Sequence, residues 1–190
     1  MHAMPTTTDE RLMLWIDAVG AYQVCLGETV VLGQPVAPGE SSGGRYRRGR
    51  GPDVAILGDL HTRHARIKRD GEGYLIEAIH PLAVDGRSVS VAALSDGSEI
   101  TLGRNVRLRF RRPHALSGTA RLEPLSRHRI VPTADAVLLM AETCVLGPKP
   151  TSHVVCRPWP EQIVLHRRDL KPNARIEGEG YSLTIEQIEI

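Results

Sequence analysis

The chain lacks nearly every signal that would mark a helical, membrane-spanning or metal-stapled protein. No apolar run approaches the roughly 18 residues of a membrane helix. Helical periodicity is almost absent from its 190 residues. The three cysteines, Cys25, Cys144 and Cys156, are odd in number and without metal-type spacing. Cys25 and Cys144 lie in apolar runs, where cysteine acts as a small hydrophobe, so a reduced, cytoplasmic setting is expected. Charge is nearly balanced at +2, which gives no compositional bias toward nucleic acid. Residues 1–10 are polar and end in acid, unlike a secretory leader, and read as a flexible tail. No cofactor motif stands out.

What the chain does have is short Val/Ile/Leu-rich runs between Gly, Asp and Pro, the pattern of an all-β sandwich. Val106-Arg107-Leu108-Arg109-Phe110 alternates apolar with basic residues, and Leu12, Leu14 and Ile16 alternate near the N-terminus. Arg66 to Ile76 reads as two antiparallel strands around Gly71-Glu72-Gly73, and Asp85-Gly86 marks a second turn.

An internal repeat is visible. Glu28-Thr29-Val30-Val31-Leu32-Gly33 recurs as Glu142-Thr143-Cys144-Val145-Leu146-Gly147. Lys68-Arg69-Asp70 is echoed by Arg167-Arg168-Asp169, and Gly71-Glu72-Gly73-Tyr74 by Gly178-Glu179-Gly180-Tyr181. The second copy has no counterpart of residues 82–110, so a half-sandwich would leave an apolar face and strand edges open. That face must pack on the first copy or on another chain. The expected organisation is a tail over 1–10, a β-sandwich over 11–115, an irregular basic linker over 116–134 and a partial repeat over 135–190. Between Gly33 and Asp53 the first copy carries an insertion, residues 35–52, rich in glycine and arginine; the second copy needs only a few residues to reach Ser152.

His64-Ala65-x-Ile67, followed by Leu94-x-x-Gly97-x-x-Ile100-x-Leu102-Gly103, resembles the forkhead-associated (FHA) phosphothreonine-binding family over about residues 11–112. The resemblance implies an FHA-like (SMAD/FHA) antiparallel β-sandwich, with loops at one end that bind a phosphothreonine peptide, and it implies no catalysis. In that family a strand ends Leu-Gly-Arg, with the Arg on the peptide or its phosphate; here Leu32-Gly33 is followed by Gln34. The family's Ser-Arg-x-His-Ala, with Ser on the phosphate and His structural, reads His61-Thr62-Arg63-His64-Ala65. The usual Asn of the next loop is replaced by His80, while Val84-Asp85-Gly86 keeps the family's Val-Asn-Gly.

A phosphate dianion needs several charge-assisted donors, each worth roughly 1.5–3 kcal/mol, so the missing Arg and Ser together cost about 3–6 kcal/mol. That is enough to turn micromolar binding into almost none. Two substitutes stand in the right places. Protonated His61 and His80 donate from both ring nitrogens, and Arg45, Arg47, Arg48 and Arg50 lie in the insertion that begins where the family's Arg is missing. The candidate site is therefore Gln34, Arg45, Arg47, Arg48, Arg50, His61, Thr62, Arg63 and His80, and the partner is a protein or phosphoprotein.

Other readings carry less. His61, His64 and His80 could be offered to a metal, but spacing by three on a strand points side chains to opposite faces. His114, His128, His153 and His166 are scattered. Ser95, Asp96, Ser98 and Glu99 read as turn residues entering a strand rather than catalytic groups. The arginine insertion with Tyr46 offers single-stranded nucleic acid only one stacking ring. A structural role remains, in which the half repeat is completed by another subunit in a homo-oligomer.

Overall fold

The structure, a computed structural model, describes residues 11–37, 51–71 and 73–188. The tail and the arginines at 45, 47, 48 and 50 lie outside the described residues. The chain opens with β1 (Arg11–Ile16), β2 (Gly20–Cys25) and β3 (Thr29–Gly33). β4 (Val54–Ile56) runs parallel to β3, and β5 (Ala65–Asp70) antiparallel to it. β6 (Gly73–Val84) and β7 (Arg87–Leu94) form a hairpin around Asp85 and Gly86. Both turn residues have positive φ, 49° and 78°, the conformation that an Asp-Gly pair supplies in a two-residue hairpin.

β8 (Glu99–Leu102) and β9 (Val106–Arg111) follow, with Val106, Leu108 and Phe110 buried as their alternation requires. Residues 116–134 depart from the linker expectation. They hold β10 (Ala120–Pro124), paired with β9, and β11 (Ile130–Val131), paired with β4. Both strands are short, and their partners are distant in sequence, so local pattern gives little sign of them.

The repeat is real in three dimensions. β12 (Ala136–Leu139) lies beside β2, parallel, with Leu138 opposite Val24. β13 (Thr143–Gly147), β14 (Val154–Val155) and β15 (Ile163–His166) then reproduce the arrangement of β3, β4 and β5 as a separate three-stranded sheet. A short 3-10 turn over Arg167–Asp169 leads to β16 (Arg175–Gly178) and β17 (Tyr181–Gln187), and β17 pairs with β1. One detail shifts. The position of Asp53, whose carboxylate accepts the Val31 N–H at 2.7 Å, is taken in the second copy by His153, whose Nδ1 accepts the Val145 N–H at 2.7 Å. The equivalent residue is thus one later than Ser152.

Among the described residues fourteen strands form one continuous mixed sheet, antiparallel except where β3 meets β4 and β2 meets β12. It folds over on itself at β6. The first half of that strand pairs with β5, and its last residues, Leu82–Val84, pair with β8. Between them the register to β7 jumps from Glu77 to Leu82, a bulge that lets one strand belong to both layers. The first core, with Leu32, Ile67, Ile76, Ile100 and Phe110, fills the fold.

A second core lies on the other face of β2 and β12. Val137, Leu139 and Cys25 point into the first core, whereas Leu138, Val24 and Leu26 point into the second, with Leu12, Leu14 and Ile16 of β1 and Cys144, Leu146 and Trp159 of the partial repeat. The half-sandwich is therefore completed within the chain. All three cysteines are buried and free, and burial pushes the thiols of Cys25 and Cys144 up to about 12 and that of Cys156 up to about 11. No helix among the described residues is long and apolar enough to cross a membrane.

Candidate functional site: a histidine-braced loop end

The site grows from the end of β3. Gly33 is required there because a Cβ at this position would lie 2.0 Å from the Thr62 carbonyl oxygen. That close approach lets the Gln34 N–H donate to the His61 carbonyl at 3.1 Å and the His64 N–H to the Leu32 carbonyl at 2.8 Å. The loop over residues 57–64 is strapped to the strand end on both sides.

His64, buried, joins three segments. Its carbonyl accepts the N–H groups of Ile79 and His80, at 3.1 and 2.9 Å, which fixes the β6 bulge. Its Nδ1 faces the His61 N–H at 3.3 Å and its Nε2 faces the Pro81 carbonyl at 2.9 Å. These partners assign one tautomer: Nδ1 accepts, and the Nε2–H donates to Pro81. The Gly103 N–H, 3.1 Å from both Nε2 and the Pro81 oxygen, then donates to the oxygen and adds the β8–β9 turn to the frame. His64 is a brace with both ring nitrogens committed to backbone.

On this brace stand His61, exposed, and His80, half-buried. Their rings stack with centroids 3.4 Å apart and planes 14° from parallel. Partial desolvation, then the proximity of His61 and His64, lower the His80 pKa from its ordinary value. A positive charge on a ring stacked this close disfavours protonation of His80. Thr62 and Arg63 flank it, half-buried, and the Arg63 Nη1 lies 3.4 Å from the Gly51 carbonyl. Gly51 is where the inserted segment rejoins the fold, and its Cβ position would be 3.5 Å from the Val36 side chain on the outgoing limb. The two limbs of the insertion thus meet beside Arg63.

The structure gathers Gln34, His61, Thr62, Arg63 and His80 at one end. Sequence reading named Gly103 only as part of a motif and gave neither it nor Pro81 a part in the frame. A shallow hollow of about 550 Å3 between Trp15, Val19, Thr133 and Asp135 contains none of these residues.

Gly33→Ala tests the frame. The added methyl group forces the Thr62 carbonyl away, and overpacking of this kind costs about 1–3 kcal/mol. Thermal melts should show the loss, and the His61 and His80 ring resonances should shift away from their wild-type positions. Unchanged resonances would mean that the loop is not positioned by this contact.

No protein-family model matches the chain, and no curated protein matches it. Solved structures similar to it include the FHA domain of an Arabidopsis thaliana hypothetical protein, at 20% identity over 55% of this chain and 86% of that one, with a TM-score of 0.33. An FHA domain studied for phosphothreonine-dependent interactions is 24% identical over 49% of this chain and 88% of that one, TM-score 0.31. The Rv0020c FHA domain is 20% identical over 53% and 91%, TM-score 0.28. The chain is an all-β sandwich with a partial β repeat packed on it.

Proposed function

We propose that the chain is a non-catalytic protein-interaction module whose loop end recognises an anionic segment of a partner protein, a phosphothreonine or an acidic motif. The observation that carries the reading is the His61–His80 stack, held on the His64 brace where the FHA family seats its phosphate ligands. The two rings offer N–H donors to an anion, and Arg63 stands next to them. The arginines at 45, 47, 48 and 50 are tethered by limbs that meet beside Arg63, and they take the part of the arginine that Gln34 has replaced. An assembly role through an open half-sandwich loses its motive, because the second core is covered within the chain.

The test is a screen of degenerate phosphothreonine peptides beside their unphosphorylated twins, with an Arg45/Arg47/Arg48/Arg50→Ala variant in parallel. Phosphorylated peptides should bind about tenfold or more tightly than their twins, the equivalent of one charge-assisted contact. The arginine variant should lose most of that difference. Affinity should also rise as pH falls from 8 to 5.5, because an anionic ligand favours the imidazolium that partial desolvation disfavours at His80. Equal binding of the two peptide sets at every pH, with no gain for their Asp/Glu-rich members, would overturn the anionic reading.

A further inference from the structure

Two loops that the sequence does not connect to the candidate site abut it in space. The first is the β8–β9 turn. Gly103 is packed so that a Cβ would lie 3.3 Å from the Asp59 carbonyl oxygen and 3.6 Å from the His64 ring. Arg104 follows it, exposed. The second is the segment between β10 and β11. The Leu57 N–H donates to the Arg129 carbonyl at 2.8 Å, and Gly58 is packed against His128, 3.1 Å from its Cβ position to the ring. Arg127 and Arg129 flank that histidine, both exposed.

So the loop that carries His61 is abutted by the turn that holds Arg104 and by the segment that holds Arg127 and Arg129. None of these three guanidinium groups has an ion pair or hydrogen bond among the described residues. The contrast with β9 is informative, since Arg107 and Arg111 on that strand are paired with Glu99 and Asp96. Asp59 is the single carboxylate on the intervening loop. Three unpaired cations around one carboxylate leave a net positive rim.

We propose that Arg104, Arg127 and Arg129 form a second anion subsite beside the His61–His80 stack, taking a further phosphorylated or acidic residue of the same partner segment. The inference rests on the proposed function and specifies its partner as a multiply charged peptide. Arginine suits the task because its planar fork engages carboxylate and phosphate through paired donors. A peptide is favoured over single-stranded nucleic acid because no Phe, Tyr or Trp stands among residues 103–105 or 126–129 to stack a base, and the one ring there, His128, is packed on Gly58 with its Nδ1 2.7 Å from the Ser126 hydroxyl.

The experiment compares the wild type with an Arg104→Ala/Arg127→Ala/Arg129→Ala variant and with a His61→Ala/His80→Ala variant. The three arginines are exposed and unpaired, so the first variant should melt with the wild type. The probes are a peptide with one phosphothreonine in a neutral context, the same peptide with a second phosphothreonine, an unphosphorylated Asp/Glu-rich peptide and a short oligothymidylate. The rim variant should bind the singly phosphorylated peptide within about twofold of the wild type. It should lose about tenfold for the doubly phosphorylated one, a loss that shrinks with added salt. In the histidine variant the acidic peptide should still shift the Arg104, Arg127 and Arg129 side-chain resonances.

Equal affinity of wild type and rim variant for the doubly charged peptide would overturn the subsite and leave the proposed function standing. Equal affinity of the wild type and the histidine variant for every peptide, with binding lost only in the rim variant, would do the reverse. Preferential binding of the oligothymidylate through the same arginines would overturn the assignment to a protein partner. No binding by any probe would overturn both.

Discussion

A chain ending at residue 134 is expected not to fold. The cut removes β12, which lies between β10 and β2 and is the only link, among the described residues, between those two stretches of the main sheet. It also removes the covering of Leu12, Leu14, Ile16, Val24 and Leu26, all of which are buried in the second core. Exposing a fully buried aliphatic side chain costs about 1.5–3 kcal/mol, so five of them cost about 7–15 kcal/mol. That equals the whole stability of an ordinary domain, roughly 5–15 kcal/mol. Proton NMR of the truncated chain should show collapsed amide dispersion, or the protein should be recovered only as aggregate. A soluble, well-dispersed fragment would mean that the first sandwich closes without its second copy.

The second large effect is acid sensitivity centred on His153. This side chain is fully buried, and its Nδ1 is occupied by the Val145 N–H, so the neutral ring carries its proton on Nε2. Among the described residues that atom has no hydrogen-bond partner, and neither has the buried Nδ1 of His114, whose ring centre is 6.0 Å away. Burial first, then His114 and Arg121, lower the His153 pKa from 6.5 to about 4. Above pH 6.5 the ring is neutral in both folded and unfolded chain, and its contribution to stability is complete. As pH falls below 6.5 the unfolded chain takes up a proton that the folded one refuses, so stability falls until about pH 4, where the folded state is protonated too. The shift corresponds to about 3 kcal/mol lost over that window. His153→Asn keeps an acceptor for Val145 but cannot titrate. Urea unfolding between pH 7 and 4 should therefore show a flatter decline for the variant, and identical slopes would remove His153 from the account.

Asp53 and His153 show where sequence reading reached and where it stopped. The Leu-Gly repeat correctly paired β3 with β13, because identical apolar residues must meet the same demands in two similar three-strand sheets. It missed the matching of Asp53 with His153 by one residue, because loop lengths differ and only the hydrogen bond to Val31 or Val145 fixes the register. The alternation in Leu12, Leu14 and Ile16 announced a strand with one buried face. It said nothing about which core that face enters, since burial looks the same from either side of a shared sheet.

The candidate site divides in the same way. His61, His64 and His80 were legible because each stands at a place in a motif. Arg104, Arg127 and Arg129 were not, because their nearness to His61 depends on β9 and β10 folding back over many residues. His114 and His153, scattered in the sequence, face one another only because the partial repeat packs on the first core.

The pairing of the first strand with the last has a mechanical consequence. Leu12 lies opposite Gln187, and the Ile188 N–H donates to the Arg11 carbonyl at 3.0 Å, so both ends of the described region lie at one corner. Tension applied across those two points pulls perpendicular to the strands and opens the β1–β17 ladder one rung at a time, like a zip. Its rungs never share the load. This domain should yield at low force when stretched from its ends, and losing β17 would uncover the second core before the first sandwich feels any strain.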